Sequence, residues 1–288
     1  MGHPELLSES NVTIIGLGLM GGSLALALRG RCAAVVGVDR DPVIRAAARE
    51  QQVVDRAFSD PAEALRNADL VILATPVCTI LQFLTELPSL HPGHAVVLDL
   101  GSSKVEIVQA MQGLPDRFEP IGGHPMCGKE QSSLYNAEAE LFCGARFAFT
   151  PLPRTTSRAR ALAAGLAGAI GADPLWLDPV THDRWTAATS HLPYLVASAL
   201  AASTPTEAAP LLGPGFRSTA RLAGSSTEMM LDVLLTNRSQ VLTALKRFRA
   251  NLDRLEENLS GEQVDALSEA LAEGSRAWSN LKNQGETS

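Results

Sequence analysis

Apolar positions along this chain follow two grains. Through the first half they cluster in short, β-branched runs at 11–15, 34–38, 70–74, 95–99, 118–122 and 146–150. Runs of that length, separated by helical stretches, predict the buried strands of an α/β sheet. Asp41-Pro42 and Asp60-Pro61 mark helix starts, each placing an N-cap acid before a proline at the first helical position. After 152 the pattern turns helical over 156–170, 179–202, 227–259 and 261–282, with one short strand candidate at 174–177. Within it Val241, Leu245, Phe248, Leu252, Leu255 and Leu259 recur at alternating spacings of four and three. That heptad-like seam fits either packing inside the chain or a helix shared between subunits. The expected division is an α/β domain over 1–152, a helical domain over 153–283 and a disordered tail over 284–288.

The first strand runs into Gly16-Leu17-Gly18-Leu19-Met20-Gly21, a G-x-G-x-x-G spacing followed by an apolar helical pattern. Gly16 suits the tight turn, Gly18 lets backbone N–H groups reach a pyrophosphate, and Gly21 lets the helix pack closely on its strand. Leu19 and Met20 then open a helix whose N-terminus faces the anion. The second strand ends at Asp39, where a ribose 2′-hydroxyl acceptor belongs in a Rossmann-type, doubly wound sheet. A carboxylate there favours NAD. Arg40 beside it keeps NADP open, because a guanidinium pairs well with a 2′-phosphate. Thr75-Pro76 and the segment Asp99-Leu100-Gly101-Ser102-Ser103-Lys104 follow the third and fourth of these runs, at the carboxyl edge where open α/β sheets bind ligands.

Composition narrows the partners. A formal charge of −7 and an isoelectric point near 5.4 argue against nucleic acid or an anionic membrane, which need clustered cations. The four cysteines, Cys32, Cys78, Cys127 and Cys143, show no paired or metal-ligand spacing, so neither a disulfide framework nor a metal site is expected. No charged leader and no apolar run of about 18 residues is present, so a cytoplasmic location is expected.

One histidine stands out. His124 lies in Gly122-Gly123-His124-Pro125-Met126-Cys127-Gly128-Lys129-Glu130, expected as a loop presenting the imidazole after a strand. An imidazole can take a proton from a hydroxyl as hydride leaves the same carbon. Ser102 or Ser103 could orient it, although Ser-Ser-Lys also reads as an ordinary helix cap. Downstream, His182 and His191 share a predicted helix that Pro193 should kink, and they lie too far apart along it to hold one metal easily. Gly213-Pro214-Gly215 is a turn leading to Arg217 and Arg221, either of which suits a bidentate grip on a substrate carboxylate.

Taken in order, G-L-G-L-M-G-G-S, D-L-G-S-S-K, G-G-H-P-M-C-G-K-E, S-H-L-P-Y and G-F-R-S-T-A-R-L-A span nearly the whole chain and resemble the prephenate/arogenate dehydrogenase family of tyrosine biosynthesis. The resemblance implies a dinucleotide domain, a helical homodimerisation domain and oxidative decarboxylation of a cyclohexadienol. It casts His124 as the base at the substrate hydroxyl, Ser102 as its partner and Arg221 as the carboxylate grip, with His182 and His191 in the site architecture. Lys129, His191, Tyr194 and Arg217 join Ser102, His124 and Arg221 as substrate contacts. Tyr194 and Lys129 depart from the family's usual histidine and threonine, and Met230 replaces a tryptophan that some members place at an intersubunit site. Lys129 would repel the ammonium of arogenate, which favours the keto acid prephenate. The chain begins close to its first strand and ends soon after its last helices, so neither a fused chorismate mutase nor a regulatory domain is expected. Two other readings stay open: a β-hydroxyacid dehydrogenase, for which the helices before 213 offer no catalytic lysine, and a non-catalytic NAD sensor.

Overall fold

The computed structural model describes residues 3–129 and 133–287. Among these, eight strands form one sheet in the order β3-β2-β1-β4-β5-β6-β7-β8. They are β1 Asn11–Ile15, β2 Ala34–Val38, β3 Arg56–Phe58, β4 Leu70–Leu73, β5 Ala95–Asp99, β6 Phe118–Pro125, β7 Arg146–Pro151 and β8 Asp173–Trp176. All neighbours pair in parallel except β6 with β7. The sheet is doubly wound, with its switch point between β1 and β4.

Helices α1 His3–Ser8, α2 Leu19–Leu28, α3 Pro42–Glu50, α4 Pro61–Leu65, α5 Val77–Leu90, α6 Val105–Gln112 and α7 Ser157–Ala169 accompany the sheet. Asp41 and Asp60 cap α3 and α4 through their side chains, with proline following each, as the sequence signals require. Two apolar layers bury the sheet. Val12, Ile14, Leu24, Leu28, Phe147 and Phe149 belong to one, and Ile15, Leu73, Ile80, Leu84, Val97 and Phe118 to the other. Alternate residues of β1 thus enter opposite layers, which is why its sequence is apolar on both faces.

The sheet continues beyond 152, where the sequence pattern placed the domain boundary. Helix α7 packs against β6 and β8 extends the sheet past β7. Helical structure then takes over in α8 Pro179–Thr186, α9 Leu192–Ser203, α10 Pro214–Ala220, α11 Thr227–Thr236, α12 Arg238–Ser260 and α13 Val264–Thr287. The expected kink at Pro193 is a π turn over Ala187–His191 that joins α8 to α9, a wide turn that tolerates the missing proline N–H. The single helix expected over 227–259 is broken at Asn237. The tail expected to be disordered from 284 is helical as far as Thr287; Ser288 lies outside the described residues.

The chain divides into two compact units, Met1–Arg238 and Ser239–Ser288. In the second, Arg254 of α12 pairs with Glu273 of α13 at 2.8 Å. Leu252, Leu259, Leu271, Trp278 and Leu281 of that unit are exposed. No helix among the described residues is long and apolar enough to cross a membrane.

Candidate active site

The glycine loop is built as the spacing demands. Gly16 has φ +97°, and a Cβ there would lie 2.8 Å from the Ala74 carbonyl oxygen. A Cβ on Gly21 would lie 1.9 Å from the Gly16 carbonyl oxygen, so β1 and α2 can meet only with glycine between them. At Gly18 a Cβ would meet nothing within 4 Å: the loop faces open space at the N-terminus of α2. Leu19 and Met20 form that first turn, and Gly18 caps it without a side chain. Both Asp39 oxygens receive backbone N–H groups at 2.9 Å, one from Leu17 in the loop and one from Asp41. Arg40 is exposed. A neighbour the sequence reading passed over, Arg45, holds the carbonyls of Asp39 and Arg40 at 2.7 and 2.9 Å. Thr75, beside Gly16, has a buried hydroxyl without a hydrogen-bond partner among the described residues, and Pro76 is the N-cap residue just before α5. An open anion cradle, a carboxylate at its rim and an orphaned hydroxyl beside it fit a dinucleotide.

His124 is not in a loop. Strand β6 runs through Pro125, and His124 pairs with Ala148 of β7. Two glycines before a histidine read as a turn, but they are small because the space is filled. A Cβ on Gly122 would lie 2.2 Å from the Thr150 hydroxyl, and one on Gly123 would lie 2.7 Å from the Asp99 carbonyl oxygen. A strand fixes the imidazole more firmly than a loop would.

The ring is then oriented by a relay. Asp183 and His182 sit on α8, both nearly fully buried. Asp183 Oδ1 accepts from His182 Nδ1 at 2.8 Å, and His182 Nε2 faces His124 Nδ1 at 2.9 Å. The carboxylate requires a proton on His182 Nδ1, which leaves neutral His182 Nε2 as an acceptor. His124 Nδ1 must then donate, and His124 Nε2 is left with a lone pair. Burial holds His124 well below the ordinary histidine range, reinforced by His182, Lys104 and His191; its neutral form dominates at neutral pH.

Asp183 is itself held. It accepts the backbone N–H groups of Lys104 at 2.7 Å and Val105 at 2.8 Å, and so caps α6 from another element. Asn237, at the break after α11, donates to the Asp183 carbonyl at 2.7 Å and meets His191 Nδ1 at 3.2 Å. The π turn brings His191 into this cluster. Burial lowers its pKa to about 4, and with Nδ1 accepting from Asn237, Nε2 carries the proton. That Nε2 is buried without a partner among the described residues.

A cleft of about 420 Å³ opens above these groups, lined by Ser102, His124, Lys129, His191, Tyr194 and Arg221, a size typical of small-molecule sites. Met229, Met230 and Val233 of α11 supply an apolar wall. Six of the expected substrate contacts therefore meet in one place. Arg217 does not line this cleft; its Nε donates to the Leu212 carbonyl at 3.2 Å. Of the two serines, Ser102 lines the cleft, while Ser103 is fully buried and bonds Thr236 at 2.8 Å. Lys129 is ion-paired with Glu138 at 2.6 Å, which offsets the charge on which the prephenate preference rested. Glu130, also in the histidine motif, lies outside the described residues. The roomier cleft, about 790 Å³, sits at the amino edge of the sheet. Its most buried titratable group, His91, has both ring nitrogens engaged by the Ala68 carbonyl and the Gly93 N–H, leaving little there to do chemistry. Among the described residues no group of three or more His, Cys, Asp or Glu side chains is arranged around a metal.

Asp183 and Asn237 were not singled out from sequence, and Asp99 and Lys104 were placed at the carboxyl edge of the sheet without a role of their own. Asp183 had one signal, adjacency to His182; Asn237 had another, a polar residue with poor helix propensity inside an apolar helical pattern.

Comparisons with known proteins point to one family. Residues 24–173 match the family model for the prephenate dehydrogenase nucleotide-binding domain, and residues 178–273 match that for the prephenate dehydrogenase dimerization domain. The prephenate dehydrogenase of Bacillus subtilis is 31% identical over 269 residues, covering 90% of this chain and 72% of that protein. The crystal structure of Aquifex aeolicus prephenate dehydrogenase in complex with hydroxyphenyl propionate and NAD+ superposes with a TM-score of 0.87 at 29% identity, covering 96% of this chain and 99% of that one. Synechocystis arogenate dehydrogenase superposes with a TM-score of 0.80 at 31% identity, covering 94% and 99%. With both family models in place along its length and a relay-supported histidine in the cleft, the chain belongs to the prephenate/arogenate dehydrogenase family.

Proposed function

We propose that the protein catalyses NAD-dependent oxidative decarboxylation of prephenate to 4-hydroxyphenylpyruvate. The observation that carries this reading is the Asp183–His182–His124 relay, which ends in an imidazole lone pair at a cleft also lined by Arg221. Gly16, Gly18 and Gly21 cradle the pyrophosphate, Asp39 takes the adenosine ribose, and Thr75 lies beside the loop. Bound NAD supplies the hydride acceptor. His124 Nε2 takes the proton of the C4 hydroxyl as hydride leaves C4, Ser102 helps to orient that hydroxyl, and Arg221 grips a substrate carboxylate. As the ring carboxylate departs as CO₂, its electron pair aromatises the ring and the new phenolate recovers the proton from His124, which restores the base.

The second reading is arogenate. It is favoured by the carboxylate of Glu138 beside Lys129, which gives a substrate ammonium a partner, and by the likeness to the Synechocystis enzyme. A homodimer through the C-terminal helices is supported by the dimerization-domain match and by the exposed Leu252, Leu259, Leu271, Trp278 and Leu281. Reduced-cofactor formation measured with prephenate and arogenate, each with NAD and NADP, tests the whole assignment. Prephenate with NAD is expected to give the highest kcat/KM, and silence in all four mixtures would overturn it.

A further inference from the structure

Lys104 is fully buried, and its ammonium pairs with the equally buried Asp99. Buried pairs rarely gain net stability over apolar residues of the same size, so such a pair asks for another account. Its contacts supply one. The parallel ladder between β5 and β6 ends at Leu98–Ile121. Two residues on, Gly123 turns both backbone groups back towards β5, where the ion pair meets them. Asp99 Oδ1 accepts the Gly123 N–H at 3.1 Å, and Lys104 Nζ donates to the Gly123 carbonyl at 2.7 Å. Asp99 Oδ2 also accepts the Gly101 N–H at 2.8 Å. The pair replaces the missing rungs of the sheet at the residue immediately before His124.

The same lysine holds the other arm. Its backbone N–H donates to Asp183 Oδ1, the oxygen that also orients His182. One residue therefore touches the strand carrying His124 and the carboxylate at the root of its relay. The charged and titratable groups around His124 are His182 with Asp183 behind it on α8, His191 on the π turn, Lys104 with Asp99 beneath, and Arg221 and Lys129 on the cleft wall. Lys104 is the cation built in closest connection with the strand of His124. Burial alone would pull its ammonium towards neutrality, and Asp99 opposes that pull.

We infer that Lys104, held by Asp99, is the positioning residue for His124, holding its strand in register and setting a fixed cation beside it. The inference rests on His124 being the base, and its test separates the two. The enzyme carrying Lys104→Met, Lys104→Gln or Lys104→Arg is followed by the pH dependence of kcat/KM for prephenate with NAD, and by the imidazole ¹⁵N shift of His124 without substrate. Removing the cation raises the pH at which His124 gains a proton. The acid limb should therefore rise by about one pH unit in the Met and Gln variants, and stay near wild type in Lys104→Arg whatever its kcat. Lys104→Gln, which keeps a donor for the Gly123 carbonyl, should hold a higher plateau than Lys104→Met. A merely structural role would lower the plateau and leave the midpoint alone, so a shared wild-type midpoint in Lys104→Gln and Lys104→Arg overturns the inference even if Lys104→Met fails to fold. His124→Gln is the control: wild-type turnover there would overturn the base assignment itself.

Discussion

Replacing Asp183 with asparagine removes one charge and almost no volume, yet the hydrogen-bond pattern predicts a large loss of rate. The carboxylate accepts from His182 Nδ1, Lys104 N and Val105 N, all within 2.7–2.8 Å. An amide has one accepting oxygen, so its NH₂ must stand either at the Oδ2 position, facing α6 alone through the Val105 N–H, or at the Oδ1 position, facing both His182 and the Lys104 N–H. Facing α6, it sets donor against donor in a buried site, at a cost of about 1–3 kcal/mol. Facing His182, it donates to Nδ1, which moves the proton to His182 Nε2. That nitrogen then donates to His124 Nδ1 and forces the His124 proton onto Nε2, where the lone pair is needed. Each arrangement leaves one α6 N–H facing a donor; the second removes the base, and the first leaves the relay without the carboxylate charge that supports an imidazolium as the proton is taken. A misplaced tautomer of this kind costs ~10⁴ in the serine-protease triad; here kcat/KM for prephenate should fall by about 10²–10⁴. NAD affinity should stay within about twofold, because the glycine loop shares none of these bonds. Steady-state rates combined with a cofactor-binding titration read both quantities. An Asp183→Asn enzyme within about threefold of wild-type kcat/KM would refute the tautomer argument.

Other substitutions probe the remaining parts. Gly21→Ala places a Cβ 1.9 Å from the Gly16 carbonyl oxygen, so NAD binding should weaken by about tenfold or more, ~1.4 kcal/mol; an unchanged titration would remove the loop from the cofactor site. Arg221→Lys keeps the charge but loses the planar fork, so KM for prephenate should rise by about tenfold with kcat less affected, and an unchanged KM would place the carboxylate elsewhere. Lys129→Thr should lower the prephenate-to-arogenate ratio of kcat/KM by only about threefold, since its pairing with Glu138 leaves it a partly exposed charge worth under ~1 kcal/mol; an unchanged ratio removes it from substrate choice. His191, with its pKa lowered to about 4, binds fewer protons folded than unfolded. Its contribution is thus complete above the unfolded value of about 6.5 and is lost as pH falls towards 4, on the order of 3 kcal/mol in all. Urea midpoints should fall over that window in wild type and less steeply in His191→Asn.

The parts of this protein that speak through local chemistry were legible in its sequence. Glycine spacing, an acid at the end of β2 and aspartate-proline helix starts each act over a few residues, and each stands where expected. What was hidden depends on the rest of the molecule. Gly122 and Gly123 read as a loop because glycine signals freedom locally; only β7 and Asp99 show that they are small to fit a packed strand. Arg217 and Arg221 are equivalent in sequence, and the turn of α10 into the segment after it sends only the second to the cleft. Lys104, Asp183 and Asn237 act on His124 from 20, 59 and 113 residues away in sequence, separations that hydrophobic periodicity does not encode. The boundary at 152 was obscured because α7, rich in alanine, has the pattern of a bundle helix while it covers a sheet.

The most direct test of the account is a comparison of wild type with His124→Asn, using saturating prephenate and NAD and measuring reduced nicotinamide and released CO₂ together. The account predicts that the two products form one to one in wild type, and that kcat falls by about 10² or more in the variant while NAD binds with unchanged affinity. Turnover by His124→Asn at the wild-type rate would contradict it.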